Sequence, residues 1–261
     1  MSPIPQRSIV AFVLAAACSL PAAADVTLRQ KVSMAGMMSM QGESVTYIKG
    51  HKMRIESNMG KHSTVMLMDV DAKKTIILEG KKAEAFDMSA MMAQQALISD
   101  ASIEFELKPT GKKREVAGAT CEEHQLDMVV HAKAADDNPM GNMDIRMNGP
   151  GCSVKGAPGF DEYLAFYDHA VKVGYFFADP RAAQANPGRE RAMTVMTRKM
   201  AETGMPYWSS FKVSIEGDGP MAAMMAKMAG MTLESTVTEV STAPLADDLF
   251  QVPAGVKVKN N

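Results

Sequence analysis

Catalytic signatures are missing from this chain of 261 residues. It has no H-E-x-x-H for a zinc peptidase and no G-x-S-x-G for a serine nucleophile. It also lacks G-x-x-x-x-G-K-[ST] and G-x-G-x-x-G, the glycine-rich loops that cradle phosphate. Thr110-Gly111-Lys112-Lys113 has no upstream glycine and reads as a hairpin turn. Ser209 and Lys212 match S-x-x-K, but the segment enters a strand and has no companion motif. Aromatic residues are scarce, at 6%, and no basic stripe is interleaved with them. With 28 basic against 30 acidic residues, the chain offers nothing to a polyanion, which excludes nucleic acid as a partner. Long apolar runs are absent too. Residues 9–20 (IVAFVLAAACSL) fall short of the roughly 20 residues a transmembrane helix needs. The expectation is a non-enzyme without a cofactor.

What is present begins with an export signal. Arg7 precedes the short apolar run, and Ala22-Ala23-Ala24 forms an A-x-A site before Asp25. This is the anatomy of a secretory signal peptide over residues 1–24, leaving a mature chain of residues 25–261 in the periplasm. A competing reading takes residues 14–18 as a weak lipobox, with Cys18 lipidated at the outer membrane. Removal of residues 1–24 takes Cys18 away and leaves Cys121 and Cys152, an even pair in an oxidising compartment, expected to form a disulfide. The rival is a half metal site, since Cys121 and His124 stand in C-x-x-H spacing.

The pattern of elements runs β, then α, then β. Residues 47–57 (YIKGHKMRIES) carry strand formers around a Gly-His turn. Residues 64–68 and 75–78 flank the polar turn 69–74, a hairpin signal. Residues 102–107 (SIEFEL) alternate apolar and acidic, as in a strand with one wet face, and Pro109-Thr110-Gly111 reads as its end. Strands are further expected at 120–130 and 143–147, the latter closed by a Gly149-Pro150-Gly151 turn. Helical spacing appears over 160–175 and 190–203, and strands return at 210–216 and 232–240. Glu122-Glu123 and Asp247-Asp248 are adjacent acids that a strand points apart, and both pairs read as solvated. The fold class expected is α+β in a single domain over 25–261: a large antiparallel sheet with helices on one face or at its mouth.

Methionine is the compositional anomaly, with 25 residues. Met221, Met224, Met225 and Met228 recur at i, i+3, i+4 and i+7, giving a helix face of thioethers. Met88, Met91 and Met92 sketch a second such face, and Met193, Met196 and Met200 a third. Three readings compete. The stripes pack a core; or they form a deformable lid over a lipid-sized cavity, because thioethers re-pack against varied apolar partners; or they bind Cu(I) or Ag(I), with Met34, Met37, Met38 and Met40 as the alternative ligand set.

Three segments carry a resemblance. They are residues 47–57, the Gly118-x-x-Cys121 strand entry, and the tail DDLFQVPAGVKV over 247–258. Together they resemble exported bacterial proteins of the family called domain of unknown function 4412, whose fold is similar to that of the lipoprotein carriers LolA and LolB. The resemblance implies an incomplete antiparallel β-barrel with helices covering its open side. It carries no lipoprotein-trafficking residue onto this chain. The leading expectation is a monomeric, non-catalytic periplasmic carrier whose partner is an apolar small molecule or lipid, with peripheral envelope contact. A Cu(I)-binding protein and a ligand-free envelope protein are the alternatives.

Overall fold

The computed structural model describes residues 25–36, 39–97, 102–132, 142–175, 180–181, 196–217 and 230–261. The expected signal peptide lies outside them, as do Met37, Met38, Met193, Met221, Met224, Met225 and Met228. Among the described residues, twelve strands are β1 (Val26–Ala35), β2 (Met40–Lys49), β3 (Lys52–Met59), β4 (His62–Asp69), β5 (Lys74–Glu79), β6 (Lys82–Asp87), β7 (Ser102–Val116), β8 (Ala119–Ala132), β9 (Met143–Val154), β10 (Met205–Gly217), β11 (Met231–Ser241) and β12 (Lys257–Asn260). The helices include α1 (Met88–Leu97), α2 (Phe160–Lys172) and α3, whose described part is 196–201. All strands join one open sheet in the order β12-β6-β5-β4-β3-β2-β1-β11-β10-β9-β8-β7. Every neighbouring pair is antiparallel except β12 with β6. The architecture is α+β but strand-dominated.

Two turns read from the sequence as ends are not ends. Strand β7 continues through Pro109-Thr110-Gly111 as an irregularity between Pro109 and Lys113. β7 is an edge strand, so the missing N–H of Pro109 breaks no ladder on its open side. Strand β9 runs unbroken through Gly149-Pro150-Gly151, and Pro150 stands opposite Gln125 of β8. At Gly149 a side chain is impossible: its Cβ would lie 2.1 Å from the Ser210 carbonyl oxygen of β10. Glycine there lets the two backbones approach.

The main core surrounds α2. Tyr163, Phe166 and Ala170, spaced i, i+3 and i+7, are buried against Val26, Leu28, Ile48, Met53, Ile77 and Phe86 of the sheet. The helix starts at Gly159, where a Cβ would strike Val26 Cγ2 at 2.6 Å, so α2 sits hard on β1. It ends in a Schellman arrangement: Gly174 N–H donates to Val171 O and Tyr175 N–H to Ala170 O. Buried Tyr175 then donates its hydroxyl to Lys74 O and meets Thr75 of β5.

Two devices fix the ends of the sheet. Cys121 of β8 and Cys152 of β9 form a disulfide, with Cα atoms 5.5 Å apart. Cys152 stands directly opposite Glu123, so the bond runs diagonally between neighbouring strands inside the sheet and not at a turn. The tail crosses the outer face of the first half. Arg54 donates to Leu249 O at 2.9 Å, and Lys49 to Leu245 O at 2.6 Å. Val252 and Val256 pack on Leu67, Leu78 and Ala83. Residues 47–57 and the tail over 247–258 therefore meet in space as a hairpin and its strap.

Candidate functional site

The second half of the sheet rolls up. β7 lies four places from β11 in strand order, about 19 Å on a flat sheet at roughly 4.8 Å per strand. Yet their Cα atoms come within 8 Å of one another. The concave side of this roll is an apolar lattice fixed by register. Ile103, Phe105 and Leu107 of β7 face Val130, Met128 and Leu126 of β8. Met128 and Val130 face Met147 and Ile145 of β9. Those two in turn face Val213 and Ile215 of β10. With Phe211 these residues make one cluster, whose middle strands are buried and whose flanks are half-buried. The opposite face is charged. Glu104, Asp144 and His131 meet there, His131 sharing its ring nitrogens between Asp144 at 2.7 Å and Glu104 at 3.5 Å. The Asp144 hydrogen bond raises the pKa of His131 above its ordinary value. The acidic-apolar alternation of SIEFEL is this two-sidedness read along one strand.

Helix α3 closes the roll. Met196 is buried in the cluster and Met200 packs against it. Beneath Met200 lies a cavity of about 30 Å³ bordered by Leu107, Leu126, Phe211, Trp208, Cys152 and Thr203. That is room for about two waters. Of the other expected lid residues, Met88 is fully buried in the core around α2, and Met92 packs against that core. Met91 lies in α1. On the alternative metal set, Met34 faces Met40 across β1 and β2, both half-buried.

The acidic pair at 122–123 departs from expectation. Glu122 is exposed, but Glu123 is buried beside the disulfide. Arg114 reaches it at 3.5 Å while lying 3.7 Å over the Trp208 ring, and Thr110 from the β7 irregularity donates to it. The guanidinium and the hydroxyl supply what burial takes away. Because Cys121 is bonded to Cys152, it does not serve as a metal ligand with His124. His124 borders the cavity instead.

A second constellation escaped the sequence reading. At the tips of two hairpins, His51 (β2–β3) and Asp71 (β4–β5) meet His169 in the last turn of α2. His51 Nδ1 lies 2.9 Å from one carboxylate oxygen of Asp71, and His169 Nε2 lies 2.8 Å from the other. The two rings stack with centroids 3.6 Å apart and planes 6° from parallel. Hydrogen bonds from His51 and then His169 hold the Asp71 carboxyl below its usual range. No spacing rule reveals this group, since His169 and Asp71 are 98 positions apart.

No protein-family model matches the chain, and no curated protein matches it. Solved structures give distant likenesses. A structure of PNGF-II aligns over 90% of this chain at 9% identity and TM-score 0.34; the chain spans 31% of that protein's length. A LolA superfamily protein from Nitrosomonas europaea aligns over 89% of this chain and 92% of its own, at 7% identity and TM-score 0.30. A DUF1329 family protein from Desulfovibrio piger aligns over 91% and 93%, at 6% identity and TM-score 0.29. At these scores the likeness is a partial one of chain path.

Proposed function

We propose that this chain is a non-catalytic periplasmic binding or carrier protein. It receives a lipid or lipid-like molecule in the rolled half of its sheet, and Met196 and Met200 act as the displaceable cover. Membership in the family of domain of unknown function 4412, export through residues 1–24 and action as a monomer belong to the same reading. One observation carries it. A continuous apolar lattice over four strands is closed by thioethers, the side chains most able to re-pack around a guest. The cavity of about 30 Å³ is well under the 300–1,000 Å³ of a typical ligand pocket, so binding requires α3 to move off the roll.

Native mass spectrometry and lipid extraction of the protein purified from the periplasm test this. The expected result is a co-purifying apolar species, or uptake of a fluorescent fatty acid that quenches on mutation of Met196 and Met200 to Asp. Protein that is free of apolar species and takes up no probe overturns the proposal. A second reading, an envelope protein without a ligand, is favoured by the small size of that cavity and is the outcome a negative result selects. Cu(I) binding at Met34, Met37, Met38 and Met40 is a separate proposal, checked by Cu(I) titration under reducing conditions.

A further inference from the structure

We infer that His51, Asp71 and His169 form a binding site for a divalent first-row transition ion of borderline softness, with Zn(II) as the representative. The donor set is two imidazole nitrogens and one carboxylate. Imidazole suits zinc, copper(II) and nickel, whereas magnesium and calcium favour all-oxygen sets and Cu(I) favours sulfur. The three ligand atoms lie within 4.8 Å of one another. Three protein ligands with remaining positions open to water is a familiar arrangement for zinc.

Each ligand sits on a held piece of backbone. The Asp71 turn is fixed by Ala72 N–H donating to Asp69 and Lys73 N–H to Val70 O. The His51 turn is tied to α2 by Gly50 N–H donating to Glu162 at 2.7 Å, and to the Asp71 hairpin by Val70 N–H donating to His51 O. His169 occupies the C-terminal turn of α2, where the helix dipole favours positive charge. The side chains are 44%, 63% and 26% exposed for His51, Asp71 and His169, so an ion reaches them from solvent.

The hydrogen-bonded arrangement is one step from the coordinated one. Each ring now presents a nitrogen to a carboxylate oxygen, and the ion takes the place of those two contacts. A neutral ring keeps its proton by moving it to the other nitrogen, Nε2 in His51 and Nδ1 in His169; a cationic ring releases one to solvent. Lone pairs lie in the ring planes, and planes 6° from parallel do not meet at one ion. Binding therefore opens the stack, which gives the site a structural signature apart from affinity.

The test is calorimetric titration of ZnCl₂ into purified protein stripped with EDTA, with histidine ring resonances followed in parallel. The expected result is one equivalent bound, with the rings of His51 and His169 shifting and that of His131 unmoved. H169Q keeps a donor for Asp71 without a good metal nitrogen, and D71N keeps a hydrogen-bonding side chain without the charge. Each is expected to weaken binding by at least about tenfold, since losing even a group that only supports a metal ligand costs that much. H131Q, with its own carboxylate neighbours, should leave affinity unchanged. Each variant is melted first, and those that melt cooperatively decide. No stoichiometric binding, unchanged affinity in H169Q and D71N, or a loss in H131Q instead overturns the assignment.

Discussion

Replacing Cys121 and Cys152 together with alanine should cost this fold about 3–4 kcal/mol. The bond closes a loop with a sequence separation of 31, and the chain-entropy relation for a loop of that length gives about 3.7 kcal/mol at 25 °C. Both residues are essentially inaccessible and sit in the main core, so removing two sulfurs adds a packing loss in the same direction. For a chain of this size each kcal/mol moves the melting midpoint by roughly 2–4 °C, so a fall of about 10 °C is expected. Denaturant unfolding separates the terms. Freeing the unfolded chain exposes more surface, so the double variant should also show a steeper m-value than the oxidised protein. Oxidised protein treated with reductant should unfold like the variant. A midpoint within about 2 °C of the oxidised wild type, or two free thiols in protein purified without reductant, would refute the reasoning.

Leu126→Ala removes a fully buried side chain from the rolled lattice, beside the cavity, and should destabilise by about 2–5 kcal/mol in urea unfolding. His131 has a raised pKa because of Asp144, so its contribution is fully present below the unfolded value of about 6.5 and is lost as pH rises through the folded one. Melting midpoints of wild type and His131→Gln should therefore differ most near pH 6 and converge toward pH 9; a constant gap would contradict this. Arg54→Ala leaves Leu249 O without its donor and should cost about 1–3 kcal/mol, while limited proteolysis clips the tail faster.

Local pattern was legible where local forces decide. The hairpin of β4 and β5, the wet and dry faces of β7, and α2 follow from alternation, turn chemistry and helical spacing; the hairpin and α2 formed close to their expected bounds, while β7 ran nine residues further to Val116. The disulfide followed from counting cysteines under the expectation of export. What was not legible depends on neighbours. Pro109 and Gly149-Pro150-Gly151 carry turn chemistry, yet an open edge and a close backbone contact with β10 let both strands continue. Glu123 reads as solvated until Arg114 and Thr110 arrive from the strand beside it. The His51, Asp71 and His169 group is set by where α2 docks on two hairpin tips, information no window of sequence contains.

The two halves of the sheet are covered by different chemistry, and the difference argues for where change is cheap. Over the first half, α2 inserts Tyr163 and Phe166, with ring centroids of Tyr163 and Tyr167 4.8 Å apart and those of Phe166 and Tyr167 5.5 Å apart. Tyr175 then anchors the exit of the helix by two hydrogen bonds in a buried setting. Aromatic packing of this kind has few rotamers, and lifting it would strand those polar groups. Over the second half, the cover is Met196 and Met200 of α3, tied to α2 by the substantially exposed Arg198–Asp168 ion pair. Such a surface pair is worth about 0–1 kcal/mol. A guest that displaces α3 gives up adaptable thioether contacts, the buried Ala201 methyl and one weak ion pair, and gains the apolar faces of Leu107, Leu126 and Phe211. The same displacement at α2 would break a packed aromatic core, so of the two covers α3 is the one that costs less to lift.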